Sequence, residues 1–318
     1  NAQAIDWSWL NPLAFTDYSG FIEAVLLALF IYWGWDTCLA LNEETKDPER
    51  IPGRAAIIST AFLLVTYVGV TVAAMAYAGV GEDGVGLANE ANAEDVFLAL
   101  KDPVLGPLAF ILVFAVMVSA ISSTQTTILP TARGTLAMAT YKALPSRFKT
   151  VHPRFNTPSF STLMMGVVAS VYFVGMKLIS DNILQDSILS LGLAIAFYYG
   201  ITGFACVWYF RDQLTQSPRD FLFKGLFPLL GALMLTYAFV QSAIDMYDTE
   251  YGNTTLLGVG GTFVIGIGSL LLGVVLMIVW SLVSESRPFF RGEALNRETE
   301  VLVPEDPETY PRSVDGGI

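Results

Sequence analysis

The sequence predicts an all-α polytopic membrane protein, and three observations carry that prediction. First, hydrophobic residues make up 53% of the 318 and charged residues only 14%, with a mean hydropathy of +0.55; a soluble domain carries about a quarter charged residues. Second, charge-free runs occupy 55–81, 103–132, 155–176, 187–210, 225–244 and 251–284. Each is long enough for the roughly 20 residues that a helix needs to cross about 30 Å of hydrocarbon. Third, the basic residues fall on one side of the topology that these runs define.

Seven spans are read: 20–41, 55–79, 105–129, 159–178, 187–210, 222–245 and 259–284. With the loop after span 1 in the cytoplasm, 15 Lys and Arg lie inside and only Lys101 and Lys177 outside, whereas the acids divide 15 to 14. Basic residues set orientation and acids contribute little to it. The N-terminus is therefore expected outside and the C-terminus inside, in the cell's inner membrane. The chain opens at Asn1 on a polar stretch with no signal-peptide pattern. An outside N-terminus without a signal peptide leads us to expect helices before residue 1.

Between the spans, the outer loop 80–104 suggests a short helix at 93–101, and the basic stretch 130–158 is expected to begin as a continuation of span 3. The tail 285–318 is poor in apolar residues and reads as disordered. The organisation expected is a 1–19 outer segment, five spans over 20–210, two more over 211–284, and the cytoplasmic tail. The net charge of −12 comes from acids scattered through loops and tail, so it marks solvated loops, and no feature points to nucleic acid. Cys38 and Cys206 both lie in apolar segments and imply no disulfide framework.

Span 1 departs from the pattern. Only twelve uncharged residues separate Glu23 from Asp36, too few to cross a bilayer, so the span must take in Gly34 and Asp36. A charge near the bilayer centre costs roughly 2.5–3.5 kcal/mol on insertion scales. Two readings stand. In one, the helix unwinds near Ile31–Gly34 and its freed backbone groups meet a polar substrate or ion. In the other, a continuous tilted helix carries Asp36 to the headgroups. Phe30, Tyr32, Trp33 and Trp35 surround the point in question.

Span 3 carries Ser119, Ser122, Ser123, Thr126 and Thr127, spaced to share one helical face. Such hydroxyls either permit close helix packing or offer oxygens to an ion or substrate; both uses stay open. Pro130 is expected to loosen the helix beyond them.

At these residues the chain resembles the amino acid–polyamine–organocation permeases. Trp33, Gly34 and Asp36, followed by Glu43, Glu44, Pro48, Arg50, Ile51 and Pro52, are similar to that family's sixth helix and the loop after it. Arg133, Ala137, Met138, Leu144, Pro145, His152, Pro153, Thr157 and Pro158 are similar to its eighth helix and the cytoplasmic continuation. Thr140-Tyr141-Lys142 stands where the family usually has Arg-Asp-Gly.

The resemblance implies that the seven spans are helices six to twelve of a twelve-helix transporter. They would form the second half of a five-plus-five inverted repeat, a leucine-transporter-like fold, with two extra C-terminal helices. It favours the broken helix and implies secondary active transport of an amino acid or related amine by alternating access. Phe30, Ile31, Tyr32, Trp33 and Gly34 would then contribute to the substrate site, with Asp36 as a gate or coupling group. Ser119, Ser122, Ser123 and Thr126 would line the transport path, with Ser122 as the best candidate near an ion. Expected partners are the lipid bilayer, the N-terminal helices of the same protein and Na⁺ or H⁺ as coupling ion; the substrate side chain and the choice of ion stay open.

Two other function classes find less support in the sequence. An enzyme built on a metal would show clustered ligands, yet the only histidine, His152, stands alone in a loop. A channel would show charged rings or a repeated filter sequence, and none is present. No cofactor is expected.

Overall fold

The computed structural model describes residues 4–11, 18–42, 45–48, 50–89, 91, 96–179 and 183–296. Glu43, Glu44 and the tail from residue 297 lie outside the described residues, as do the start of the helix expected at 93–101 and parts of the 1–19 segment.

The protein is built of α-helices. In chain order they are α1 (Tyr18–Ile31), α2 (Thr37–Ala40), α3 (Ile51–Ala78), α4 (Val96–Leu105), α5 (Ala109–Thr140), α6 (Ser159–Lys177), α7 (Ile183–Tyr209), α8 (Phe227–Asp245), α9 (Gly261–Ser281) and α10 (Arg287–Phe290). Among the described residues, six stretches are long and apolar enough to cross a membrane: α3, the run ending in α5, α6, α7, the run ending in α8, and α9. The first span is the shorter, interrupted α1–α2 pair. A one-turn helix at Pro218–Asp220, capped by the Ser217 hydroxyl, and a π-helical turn at Phe221–Leu226 lead into α8. β1 (Thr255–Leu256) and β2 (Val259–Gly260) form a small antiparallel ribbon between α8 and α9.

The long helices are apolar around their whole circumference, as lipid-exposed helices are. Along α3 only Pro52, Ala56 and Ala78 are buried, while Ile57, Phe62 and Val65 stand exposed. That surface would be untenable in water. In hydrocarbon it needs no cover.

Two groups of helices emerge. In the first, α1, α8 and α9 pack around α7, with Leu26, Leu189, Leu193, Ala196 and Met246 at the centre. Small residues let the backbones close: a Cβ on Gly192 would sit 3.0 Å from the Leu26 carbonyl oxygen, and one on Gly203 2.9 Å from the Ala232 Cβ. In the second group α5 packs against α6 and α4, and α2 lies against both α3 and α5. The α1–α2 interruption therefore joins the groups: α1 belongs to the first and α2 to the second.

The ends of the helices refine several expectations. α5 runs 32 residues, about 48 Å at 1.5 Å per residue, so it projects past the hydrocarbon as expected. It passes through Pro130 without a break, although that residue has no N–H to return to the Thr126 carbonyl. The hydroxyls of Thr126, Thr127 and Thr131 bond to carbonyls one turn back and brace this stretch. The short helix expected at 93–101 is found as Val96–Leu105.

The first part of the tail is ordered, contrary to the disorder read from its composition. α10 forms there, and the buried Ser286 hydroxyl donates to the Trp280 carbonyl at 2.7 Å. The basic stretch 141–158 is also folded: the buried Ser161 hydroxyl donates to the Phe148 carbonyl at 3.0 Å, and the Phe148 and Phe160 rings meet edge to face.

Candidate functional site

The α-helical ladder of span 1 fails where the uncharged run is too short. Tyr32 N–H still reaches the Ala28 carbonyl at 3.0 Å, but Trp33 N–H turns to Phe30, one residue closer. Residues 32–36 form turns, and regular helix resumes at Thr37. Gly34 has φ +103°, a conformation that side-chain-bearing residues rarely adopt. A Cβ there would meet nothing nearer than Thr37 Oγ1 at 4.0 Å. Glycine is thus required by backbone angle and not by crowding. A ladder continuous from Leu27 to Leu39, the tilted-helix reading, is not what the chain adopts.

The interruption is held from two sides. Toward the first group, Trp33 Nε1 donates to the Tyr198 hydroxyl at 2.8 Å, and that hydroxyl makes a long contact, 3.4 Å, with Asp36 Oδ2. Trp35 stacks on Tyr199, ring centroids 5.8 Å apart. Toward the second group, Tyr32 meets the edge of Tyr67 on α3, centroids 5.2 Å apart. Six aromatic side chains and one carboxylate therefore surround an unwound backbone in the middle of the chain's helices.

Among the described residues, the Tyr199 hydroxyl is buried without a hydrogen-bond partner. Buried polar atoms are ordinarily satisfied; the Tyr198 hydroxyl and the Asp36 carboxylate lie near enough to interact with this one. Tyr198 and Tyr199 were not singled out from the sequence. The signal was present in Phe197-Tyr198-Tyr199-Gly200, adjacent phenols in an otherwise apolar run, but tyrosines in a helix read equally well as packing residues.

The predicted residues divide into two sets. Tyr32, Trp33, Gly34 and Asp36 are brought together at the interruption, with Phe30 and Ile31 on the last turn of α1. Ser119, Ser122, Ser123 and Thr126 lie on an exposed stretch of α5, the helix against which α2 packs. Thr126 Oγ1 donates to the Ser122 carbonyl at 3.1 Å and Thr127 Oγ1 to the Ser123 carbonyl at 2.8 Å. These hydroxyls have spent their protons on the helix, leaving oxygen lone pairs on its surface.

His152 Nδ1 accepts from the Arg154 backbone N–H at 3.1 Å, a turn-forming role. Among the described residues, no three His, Cys, Asp or Glu side chains stand close enough to hold a metal ion. Cys38 and Cys206 are free thiols.

The geometry on its own places a polar, aromatic-lined break inside a bundle of membrane helices. Comparison with known proteins then supplies the family. A family model described as amino acid permease matches residues 5–262. The chain belongs to the amino acid permease family.

Several curated relatives agree. An uncharacterised transporter of Mycobacterium tuberculosis (strain ATCC 25618 / H37Rv) is 27% identical over 76% of this chain and 50% of its own. Amino acid transporter protein 6 of Caenorhabditis elegans is 26% identical over 88% of this chain and 49% of its own. The serine/threonine exchanger SteT of Bacillus subtilis (strain 168) is 25% identical over 76% of this chain and 53% of its own. This permease chain thus spans about half the length of the curated relatives it matches. No solved structure gives a significant match. Family and helices together establish an all-α, multi-pass membrane protein of a transporter family, as the sequence resemblance implied.

Proposed function

We propose that the complete protein carries an amino acid or related amine across the cytoplasmic membrane by alternating access, and that this chain supplies the second five-helix repeat and two further helices. The observation that supports this most directly is the interruption at Tyr32–Asp36. It interrupts the regular helical hydrogen-bond ladder within membrane helices, beside aromatic rings and a carboxylate. In hydrocarbon, backbone groups outside that ladder must find partners, and a zwitterionic or cationic substrate is one that a transporter can release again.

On this reading, carbonyls near Ile31 and Tyr32 accept from the substrate's ammonium group. Phe30 and Trp33 cover its apolar part or stack on a cationic head. Asp36 acts as gate or coupling group. Because α1 packs with α7 and α8 while α2 packs with α3 and α5, rocking one group against the other would bend the chain at the substrate. The basic residues put the loop after α2 in the cytoplasm. Na⁺ or H⁺ drives the cycle, or a second amino acid exchanges.

The test is uptake and exchange of radiolabelled amino acids and polyamines by the complete protein in proteoliposomes. Saturable uptake of at least one is expected. No binding of any of them at millimolar concentration would overturn the assignment, and non-saturating flux with single-channel conductance would point to a channel instead.

A further inference from the structure

Away from the interruption, the start of α7 buries a carboxylate. Asp186 is fully buried. Its Oδ1 accepts from the Asn253 backbone N–H at 2.9 Å, and its Oδ2 has no partner among the described residues. The hydroxyl oxygen of Thr262, on the first turn of α9, is likewise fully buried and without a partner. The two side chains converge on Gly252, where a Cβ would lie 2.6 Å from Thr262 Oγ1 and 2.8 Å from Asp186 Oδ1. Ser190 ties the helices together beside them, its hydroxyl within 2.7 Å of the Asp186 carbonyl and 2.8 Å of the Thr262 carbonyl.

An ionised carboxylate sealed from water with an empty oxygen is strongly disfavoured unless an opposite charge compensates it. Glu23, Glu250, Tyr251, Gly252 and Asn253 line an adjoining cavity of about 310 Å³. Among the described residues that lining holds two carboxylates and no basic side chain, so it favours cations beside Gly252 and Asn253.

We propose that Asp186 and Thr262 bind an alkali-metal cation at the junction of α7, α9 and the α8–α9 loop. One carboxylate and one hydroxyl match a single positive charge, and the absence of a three-ligand cluster among the described residues speaks against a divalent ion. The cation fastens the loop 246–260 over the end of α7, with Asn253 N–H on the other carboxylate oxygen. The inference does not rest on the transport reading.

The test is thermal unfolding of the complete protein in detergent, in NaCl, KCl or choline chloride at equal ionic strength. A saturable rise in Tm of about 5 °C is expected in Na⁺ or K⁺ but not in choline. Thr262→Val, which keeps the shape and removes the oxygen, should lose the rise, as should Asp186→Asn. If Asp186→Asn does not fold, Thr262→Val decides alone. Equal Tm in all three salts, or an undiminished rise in Thr262→Val, overturns the proposal.

Discussion

Trp33 and Tyr198, 165 residues apart in sequence, share a 2.8 Å hydrogen bond that pins the unwound segment of the first span to the middle of α7. The same phenol also makes the long contact with Asp36, so one side chain bridges both ends of the break. Tyr198→Phe keeps the ring and removes both contacts. Loss of the Trp33 bond should cost about 1 kcal/mol, and the 3.4 Å contact less. If that stabilisation serves the binding-competent geometry, substrate KM should rise about fivefold, the factor that 1 kcal/mol represents. Transport kinetics of the complete protein measure it, and an unchanged KM would mean that packing alone holds the break.

Gly34→Ala isolates the backbone. At φ +103° the added Cβ meets nothing nearer than Thr37 Oγ1 at 4.0 Å, so any effect arises from the dihedral itself. Such strain costs about 1–3 kcal/mol. Reduced thermal stability together with impaired transport is expected. A variant with wild-type Tm and kinetics would show that the turn can be formed another way.

The spans were legible in the sequence because lipid allows few alternatives: a charge-free run of that length has to be a helix. Span 1 was legible for the same reason in reverse, since Glu23 and Asp36 leave too little apolar chain between them. Tyr198 and Tyr199 were not, because tyrosine in an apolar helix looks the same whether it fills space or faces a ligand. Asp186 was hidden by its place at a span boundary, where an acid ordinarily means solvent. The order of 285–296 depends on contacts with Trp280 and Ser146, more than a hundred residues away in the second case, which local composition cannot report.

The orientation expected from the basic asymmetry has a direct test. Single cysteines at Gly84 and Asn253 should react with impermeant thiol reagents from outside the cell, and one at Ser217 should not. The reverse pattern would invert the topology and move the cation pocket to the cytoplasmic face.

Glu285 links the end of α9 to the basic α5–α6 loop. It accepts from the Ser146 hydroxyl and from the Ser146 backbone N–H, the latter at 3.2 Å, while Trp280 Nε1 donates to the Lys142 carbonyl at 3.2 Å. The Ser146 hydrogen bonds, with Lys142 and Lys149 nearby, hold the Glu285 carboxyl below its ordinary value of 4.5. A depressed pKa means that the link is fully present above about pH 4.5 and is lost as pH falls through the lower, folded-state value. Protection of the amides over 141–149, measured against the intrinsic exchange rate at each pH, should therefore fall in acid. Glu285→Gln should exchange faster at neutral pH and lose the acid dependence; the same profile in both proteins would show that the contact does not order the loop.

The α5 hydroxyls pose the sharpest choice, because packing and ion binding predict different losses. Thr126 and Thr127 use their protons on carbonyls of Ser122 and Ser123, so those bonds survive removal of the Ser122 side chain. Ser122→Ala should then change stability by no more than about 0.5 kcal/mol, as for an exposed site without special contacts. Thr126→Val preserves the branched shape and removes only the hydroxyl. If Ser122 and Thr126 offer lone pairs to a coupling cation, each variant should raise the ion concentration for half-maximal transport by about tenfold, equivalent to about 1.4 kcal/mol of lost binding. Maximal rate at saturating ion should change little. A packing role predicts the converse: unchanged ion dependence, with any deficit appearing in Tm. Ser119, one turn earlier on the same face, serves as a graded control. Its replacement by Ala should fall between Ser122→Ala and wild type if the cation sits near Ser122, and should match wild type if the face only packs.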